Sequence, residues 1–452
     1  MDINLINKYN VPGPRYTSYP TVPHWNVQDF RLTTWKDKLL ETFNSTNKTE
    51  GISVYIHLPF CESMCTFCGC NKRITKKHEV ESPYIKAVLK EWSLYLNLFD
   101  EKPIIKQLHI GGGTPTFFSP ENLNYLLTCI INTSHLADDY EFSFEGHPNN
   151  TTKEHLQTLF DLGFRRVSFG VQDYNITIQE AIHRVQPFSK VKQVTELARE
   201  IGYTSIGHDI IYGLPFQTLE NVEYTIEKTK ELAPDRIAFY SYAHVPWLKG
   251  NGQRGYSEEN LPDGKDKLMM YEVGKSRLLD FGYQNIGMDH FSLTTDSLYK
   301  ALEQKTLHRN FMGYTHAKTD VMIGLGTSSI GDSWNGFYQN VKNIEEYQSL
   351  VNNQIFPISK GHILTDEDLI IRQHILNLMC HYETKWDDKT LHSKALEKAP
   401  LKMFPLVNDG LVTVSDSQIK VTPKGKPFIR NICMAIDQYL NPNAKMQFSK
   451  TV

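Results

Sequence analysis

The chain has little cysteine, no long apolar run and no surplus of charge of either sign. Its 452 residues include 48 basic and 51 acidic side chains, a formal net charge of -3. A field that weak does not steer the molecule toward nucleic acid or an anionic membrane. No stretch approaches the roughly eighteen apolar residues that span a bilayer. The opening segment, MDINLINKYNVPGPRYTSYP, lacks the basic and apolar regions of a leader peptide. The expectation is a monomeric cytoplasmic protein with neither nucleic acid nor membrane as partner. In that compartment thiols stay reduced, so a dense cysteine group is a metal site rather than a disulfide framework.

What is present is a rhythm. Between residues 50 and 245, β-branched and aromatic runs alternate with segments of helical periodicity, the mark of repeated βα units. Strand candidates are ISVYIHL from Ile52, IIKQLHI from Ile104, YEFSFEG from Tyr140, RVSFGVQ from Arg166, SIGHDIIYG from Ser205 and RIAFYSYA from Arg236. Six units fall short of the eight that close a barrel, so an open, three-quarter parallel β/α barrel is expected, with chemistry at the C-terminal strand ends. Residues 1–50 form a proline-rich arm, with Pro12, Pro14, Pro20 and Pro23 barring regular helix through that stretch. Residues 51–350 form the barrel, and residues 351–452 a small, mostly helical, winged-helix-like domain.

Four of the seven cysteines fall within ten positions, in HLPFCESMCTFCGCNKR. Cys61, Cys65 and Cys68 make C-x3-C-x2-C, with Cys70 two residues on. No second cysteine or histidine pair follows at the separation usual for structural zinc. Three thiolates suit a [4Fe-4S] cluster with one iron left open; zinc, a redox dithiol and a four-cysteine cluster using Cys70 are the other readings. One unit later, GGGTPT (Gly111–Thr116) allows close backbone approach to a ligand or simply makes a tight βα turn. Cys129, Cys380 and Cys433 sit in apolar contexts and read as packing residues.

The cysteine motif after a strand resembles that of the radical S-adenosylmethionine (SAM) superfamily. Together with YNVPGPRYTSYPTVPHW, GVQD, HDIIYGLP, FYSYAHVP, IGMDHF and LHRNFMGYT, the sequence is similar to the oxygen-independent coproporphyrinogen III oxidase family from about residue 9 onward. The resemblance implies oxidative decarboxylation of two propionates of coproporphyrinogen III to vinyl groups, giving protoporphyrinogen IX. It also implies that one electron from the cluster cleaves SAM to a radical that abstracts hydrogen, and that two SAM are consumed per substrate. By the same resemblance Cys61, Cys65 and Cys68 ligate iron, and Tyr55, Gly112, Glu145 and Ala243 contact the cluster-bound SAM. Phe67, Gly113, Thr114, Gln172, Arg184, Asp209 and Ile330 correspond to contacts of a second SAM. Phe67 equally fits a core position, and Glu145 and Asp209 equally fit ordinary polar strand ends. A small electron-donor protein such as flavodoxin or ferredoxin is the expected partner.

Two departures from the family pattern stand out: Gly146-His147 after the matching glutamate, and Met312 where the family has glutamine. Four propionates call for cations, for which Arg15, Lys72, Arg73, His308 and Arg309 are candidates. Rival readings are a haem chaperone, a haem-opening radical methyltransferase and a DNA-binding winged helix. In the last, DLIIRQHILNLMCHY would be the recognition helix, but its apolar composition favours packing.

Overall fold

The computed structural model describes residues 3–25, 27–28, 30–246, 253, 256–387, 391–440 and 448–451. Six parallel strands lie side by side in chain order: β1 (Ile52–Leu58), β2 (Ile104–Gly112), β3 (His135–Gly146), β4 (Phe164–Gln172), β5 (Ser205–Tyr212) and β6 (Arg236–Ser241). All six were expected, although β3 begins five residues before its apolar run.

Six further strands extend this sheet at both edges: β7 (Gln284–Gly287), β8 (His290–Ser292), β9 (Val321–Leu325), β10 (Ile330–Asp332), β11 (Gly336–Asn340) and β12 (Ile358–Ile363). The order is β12-β11-β10-β9-β1-β2-β3-β4-β5-β6-β8-β7, with β9 parallel to β1 and the other additions antiparallel. The sheet therefore carries a seventh parallel strand and does not close among the described residues. It also runs past the expected boundary at residue 350, because β12 pairs with β11.

The parallel strands alternate in a way that makes the site possible. On β1, Ile52, Val54, Ile56 and Leu58 are fully buried toward the helices, in one core with Trp35, Leu39 and Phe43 of the helix Leu32–Thr46 and Tyr84, Val88 and Trp92 of the helix Glu81–Leu96. Burial on that scale contributes about 1.5–3 kcal/mol per large side chain. The opposite face carries Ser53, Tyr55 and His57. The same period gives Gln107 and His109 on β2, Glu141, Ser143 and Glu145 on β3, and Arg166 and Ser168 on β4. The barrel interior is thus polar, and each inward group needs a partner.

In the N-terminal half of the interior those partners are other side chains. Arg166 Nε donates to Glu141 (3.2 Å), Arg236 Nε to Asp296 (2.9 Å) and Ser205 Oγ to Asp296 (2.8 Å), with His316 Nδ1 3.5 Å from Glu141. Between strands, helices carry their own caps: Thr152 Oγ1 accepts from the His155 N–H ahead of Lys153–Asp161, and Gly163 follows at φ +97°.

The C-terminal region places the helix Asp366–His381 beside a three-stranded antiparallel sheet (Glu383–Lys385, Gln418–Val421, Val412–Ser415) and the helix Ala399–Asn408. Asp366–His381, the recognition-helix candidate, buries Ile371, Ile375, Leu378, Met379 and Cys380. Its apolar face is spent on packing. Leu5, Ile6, Tyr9, Tyr16 and Tyr19 of the arm join the same core. Arg430 Nε donates to the Pro14 carbonyl (2.8 Å), and the Thr451 N–H to the Val11 carbonyl (2.9 Å), so the arm is strapped to the C-terminal region. None of the described helices is long and apolar enough to cross a membrane.

Candidate active site

The C-terminal ends of the strands surround a cavity of about 390 Å3, lined among others by Tyr55, His57, His109, Glu145, Tyr240, His290, Arg309, Met312 and Ile330. The cysteine loop leaves β1 at its rim. Phe60–Cys61 pairs with Arg73–Ile74 to close the loop on itself. Lys72 Nζ, donating to the Cys68 carbonyl (3.0 Å), pulls its far end inward.

The glycine run has a structural reason. Gly112 adopts φ +118°, and a Cβ on Gly113 would sit 2.8 Å from the Phe60 carbonyl oxygen. The Gly113 N–H donates to the Leu58 carbonyl (2.8 Å) and the Thr114 N–H to that of Phe60 (2.9 Å). Thr114 Oγ1 then donates to Cys61 Sγ (3.3 Å). The glycines bring the end of β2 against the cysteine loop, so the two motifs form one unit.

All seven cysteines are free thiols. Burial pushes the Cys61 thiol up to about 11, while a hydrogen bond from Cys70, aided by Lys72, lowers that of Cys68 despite its burial. Arg184 Nη1 donates to Cys65 Sγ (3.5 Å). Among the described residues no three His, Cys, Asp or Glu side chains converge as they would around a single ion. Three soft donors on one loop, with Arg184 and Lys72 at hand to offset thiolate charge, fit a larger iron–sulfur group that spreads its ligands over separate irons.

Of the residues expected around a nucleotide, Tyr55, Glu145 and Ile330 line the cavity, whereas Phe67, Gly112, Gly113, Thr114, Gln172, Arg184, Asp209 and Ala243 are outside its lining. Tyr55 stacks on His109 (5.9 Å between ring centres, 19°) and contacts His57 Nδ1 through its hydroxyl (3.1 Å). Glu145 accepts from the Gly112 N–H (3.2 Å) and faces His109 Nε2 (3.6 Å), its side chain 48 % exposed to the cavity. Burial would raise its carboxyl, but His109 and Gly112 hold it below the usual range, so it is ionised. Asp209 differs: burial and the Glu145 charge push it up to about 7, with Ser168 Oγ as donor (3.0 Å). Arg184 Nη2 donates to the Gly170 carbonyl (3.0 Å) and Nε to Gln186 (3.0 Å), beside Gln172, a buried residue at φ +68°. Gln253 Nε2 joins Phe67 and Ala243 by donating to both carbonyls (3.0 Å each). Phe67 packs against the apolar cluster that contains Ile178, Ile182 and Leu214.

The departures read differently in three dimensions. A Cβ on Gly146 would meet the Phe169 ring at 2.8 Å, and His147, kept neutral by burial, bonds the Asn149 N–H through Nδ1 (3.1 Å). Both are packing residues. Met312 lines the cavity, supplying a thioether where an amide was expected.

Of the five cation candidates, Arg15 and Arg309 line the cavity. The others correct the expectation. Lys72 serves the cysteine loop, Arg73 is committed to Glu345 on the surface, and His308 is outside the lining and neutral, burial pushing it down to about 3. Sequence reasoning missed His57, His109, Tyr240 and His290. The available signal was their inward position in otherwise apolar strands.

Comparison with known proteins agrees with this geometry. The Radical SAM superfamily profile matches residues 55–229. The oxygen-independent coproporphyrinogen III oxidase of Helicobacter pylori (strain ATCC 700392 / 26695) is 40% identical over 100% of this chain and 99% of that protein. The protein of the same name from Escherichia coli (strain K12) is 37% identical over 100% and 98%. A solved coproporphyrinogen III oxidase from Escherichia coli, described as a radical SAM enzyme, superposes with a TM-score of 0.90 at 34% identity, covering 97% of this chain and 99% of that one. On sequence and fold, the chain belongs to the oxygen-independent coproporphyrinogen III oxidase family of radical SAM proteins.

Proposed function

We propose that this chain carries out the oxygen-independent oxidation of coproporphyrinogen III, turning two propionates into vinyl groups with loss of carbon dioxide to give protoporphyrinogen IX. The observation that carries the reading is the three-thiol loop locked by the glycine run onto the rim of a cavity that also holds buried arginine. Cys61, Cys65 and Cys68 hold a [4Fe-4S] cluster. Tyr55, Gly112, Glu145 and Ala243 border the SAM bound to it, and Phe67, Gly113, Thr114, Gln172, Arg184, Asp209 and Ile330 border a second. Bound there, cluster and SAM supply one-electron cleavage of a carbon–sulfur bond and with it the abstraction of an unactivated hydrogen atom.

The chain's own residues supply position. Ionised Glu145 offers a carboxylate to an ammonium or to ribose hydroxyls, and Arg184 a guanidinium to a carboxylate. Asp209, pushed up to about 7, is present at neutral pH in both protonated and ionised forms and can donate as well as accept. Phe311 and Met312 keep their cavity wall apolar, excluding water from the reacting carbon. The C-terminal order of helix, strand, helices and hairpin follows a winged-helix-like plan, here covering the barrel with the arm rather than meeting DNA. The working form is a cytoplasmic monomer reduced by a small protein such as flavodoxin or ferredoxin.

Anaerobic protein reconstituted with iron and sulfide, then given SAM, dithionite and coproporphyrinogen III, should form the divinyl product and release carbon dioxide. Protein that holds its cluster but leaves SAM intact under these conditions overturns the reading.

A further inference from the structure

One wall of the cavity has a cation with donors unpaired among the described residues and an imidazole nitrogen held only by a long contact. Arg309 is 4 % exposed, and its guanidinium lies 4.5 Å from the centre of the Tyr314 ring. Nη2 donates a long bond to the Arg15 carbonyl (3.4 Å), while Nε and Nη1 have no hydrogen-bond partner among the described residues. Leaving donors of a buried cation unpaired is costly, because the water they gave up is not replaced. A neighbouring anion is already committed: Asp289 pairs with Arg15 and accepts from His290 Nδ1 (2.9 Å). Arg15 is thus matched and Arg309 is not.

The same carboxylate fixes the His290 tautomer. With Nδ1–H donating to Asp289, the lone pair of the neutral ring falls on Nε2. Its neighbour is the Tyr240 hydroxyl at 3.4 Å, longer than an ordinary hydrogen bond from a hydroxyl. Both Arg309 and His290 line the cavity, and both flank Tyr314, His290 with its ring edge-on at 5.4 Å. A guanidinium donor and an imidazole nitrogen therefore share contact with one aromatic ring.

We propose that this wall reads a pyrrole and its propionate as one unit, Arg309 pairing with the carboxylate and His290 Nε2 accepting the pyrrole N–H. The inference rests on the porphyrinogen reading above and deepens it to a ligand class: a propionate-bearing pyrrole whose N–H is intact. A carboxylate alone satisfies Arg309 but leaves Nε2 bare. A pyridine-type nitrogen sets lone pair against lone pair and is rejected. Arg15, its charge cancelled by Asp289, acts as a positioning residue that holds Asp289, and through it the His290 tautomer.

The test uses the full chain, anaerobically and without added SAM. Dissociation constants are measured for coproporphyrinogen III and for its tetramethyl ester, which keeps the N–H groups and removes the charges. Tryptophan fluorescence reports binding, since Trp25 packs at 5.7 Å on the cavity residue Phe311. Wild-type protein should prefer the acid. Arg309→Gln should weaken the acid about tenfold to a hundredfold and leave the ester unchanged, the loss of one charged hydrogen-bonded pair. His290→Phe should weaken acid and ester alike, and His290→Gln, whose amide oxygen still accepts, should recover most of that loss. The wall's role is overturned if the wild type binds both forms equally, if Arg309→Gln weakens both alike, or if the two His290 variants are equally impaired. Wild-type protein that binds neither form removes the porphyrinogen reading and this role together; wild-type binding with unaltered variants removes this role alone.

Discussion

The two ends of the barrel interior are built from the same strands and treat charge in opposite ways. Glu141 and Glu145 sit four residues apart on the inward face of β3. Below, Arg166 and Arg236 outweigh the burial of Glu141 and hold its carboxyl down at about 2, and Asp296 completes the set. Above, Glu145 is half-exposed, Asp209 is pushed up to about 7, and Arg309 has donors without partners. Matched charge is architecture here; unmatched charge marks where a bound molecule completes the set.

That contrast can be broken in four ways, the largest first. Changing Cys61, Cys65 or Cys68 to alanine should abolish thiolate-to-iron absorbance at roughly 400 nm and reduce turnover to background, whereas Cys70→Ala should retain both. Next, Arg236→Met leaves Asp296 and Glu141 short of their cation and should cost about 3–5 kcal/mol by urea unfolding. Arg309→Met at the other end should change stability by less than about 1 kcal/mol, because Nε and Nη1 have no partner among the described residues and Nη2 makes only one long bond.

The pH dependence of the two ends should also be opposite. Glu141 has a depressed folded-state pKa, so its contribution is present above about pH 4.5 and lost as pH falls toward 2. The shift corresponds to about 3 kcal/mol, and in Glu141→Gln the stability profile should be flatter across that window. Asp209 has a raised pKa, so its contribution is full below about pH 4 and lost as pH rises through 7. Asp209→Asn should therefore raise the urea midpoint of the cofactor-free protein at pH 8 and leave it unchanged near pH 4. Smallest of all, Arg73→Ala breaks an exposed pair with Glu345 and should cost under about 1 kcal/mol, with the Michaelis constant for coproporphyrinogen unaltered.

The central strands were legible because apolar runs of seven or so residues bounded by turn residues leave few alternatives. The cysteine loop was legible because its spacing is chemistry in itself. The strand β9 was not: VMIGL is five residues long, follows β6 by eighty residues outside the βα rhythm, and earns its place only through pairing with β1. Arg15 and Arg309 were candidates among several cations, and only their neighbours separate them. Position in sequence says nothing of whether Asp289 stands beside one or the other. His109 and His290 were invisible as single residues, yet Ser53-Tyr55-His57 and Gln107-His109 spell out a polar face at every second position.

That two-faced strand design leaves these segments intolerant of any change in length. Inserting or deleting one residue within β1 to β4 would turn isoleucine and phenylalanine into the solvent-filled mouth and drive imidazole, carboxylate and guanidinium into the oily layer beneath the helices. Loops between strands can absorb such an event; the staves cannot. Chain-length variation in this architecture should fall in its connections.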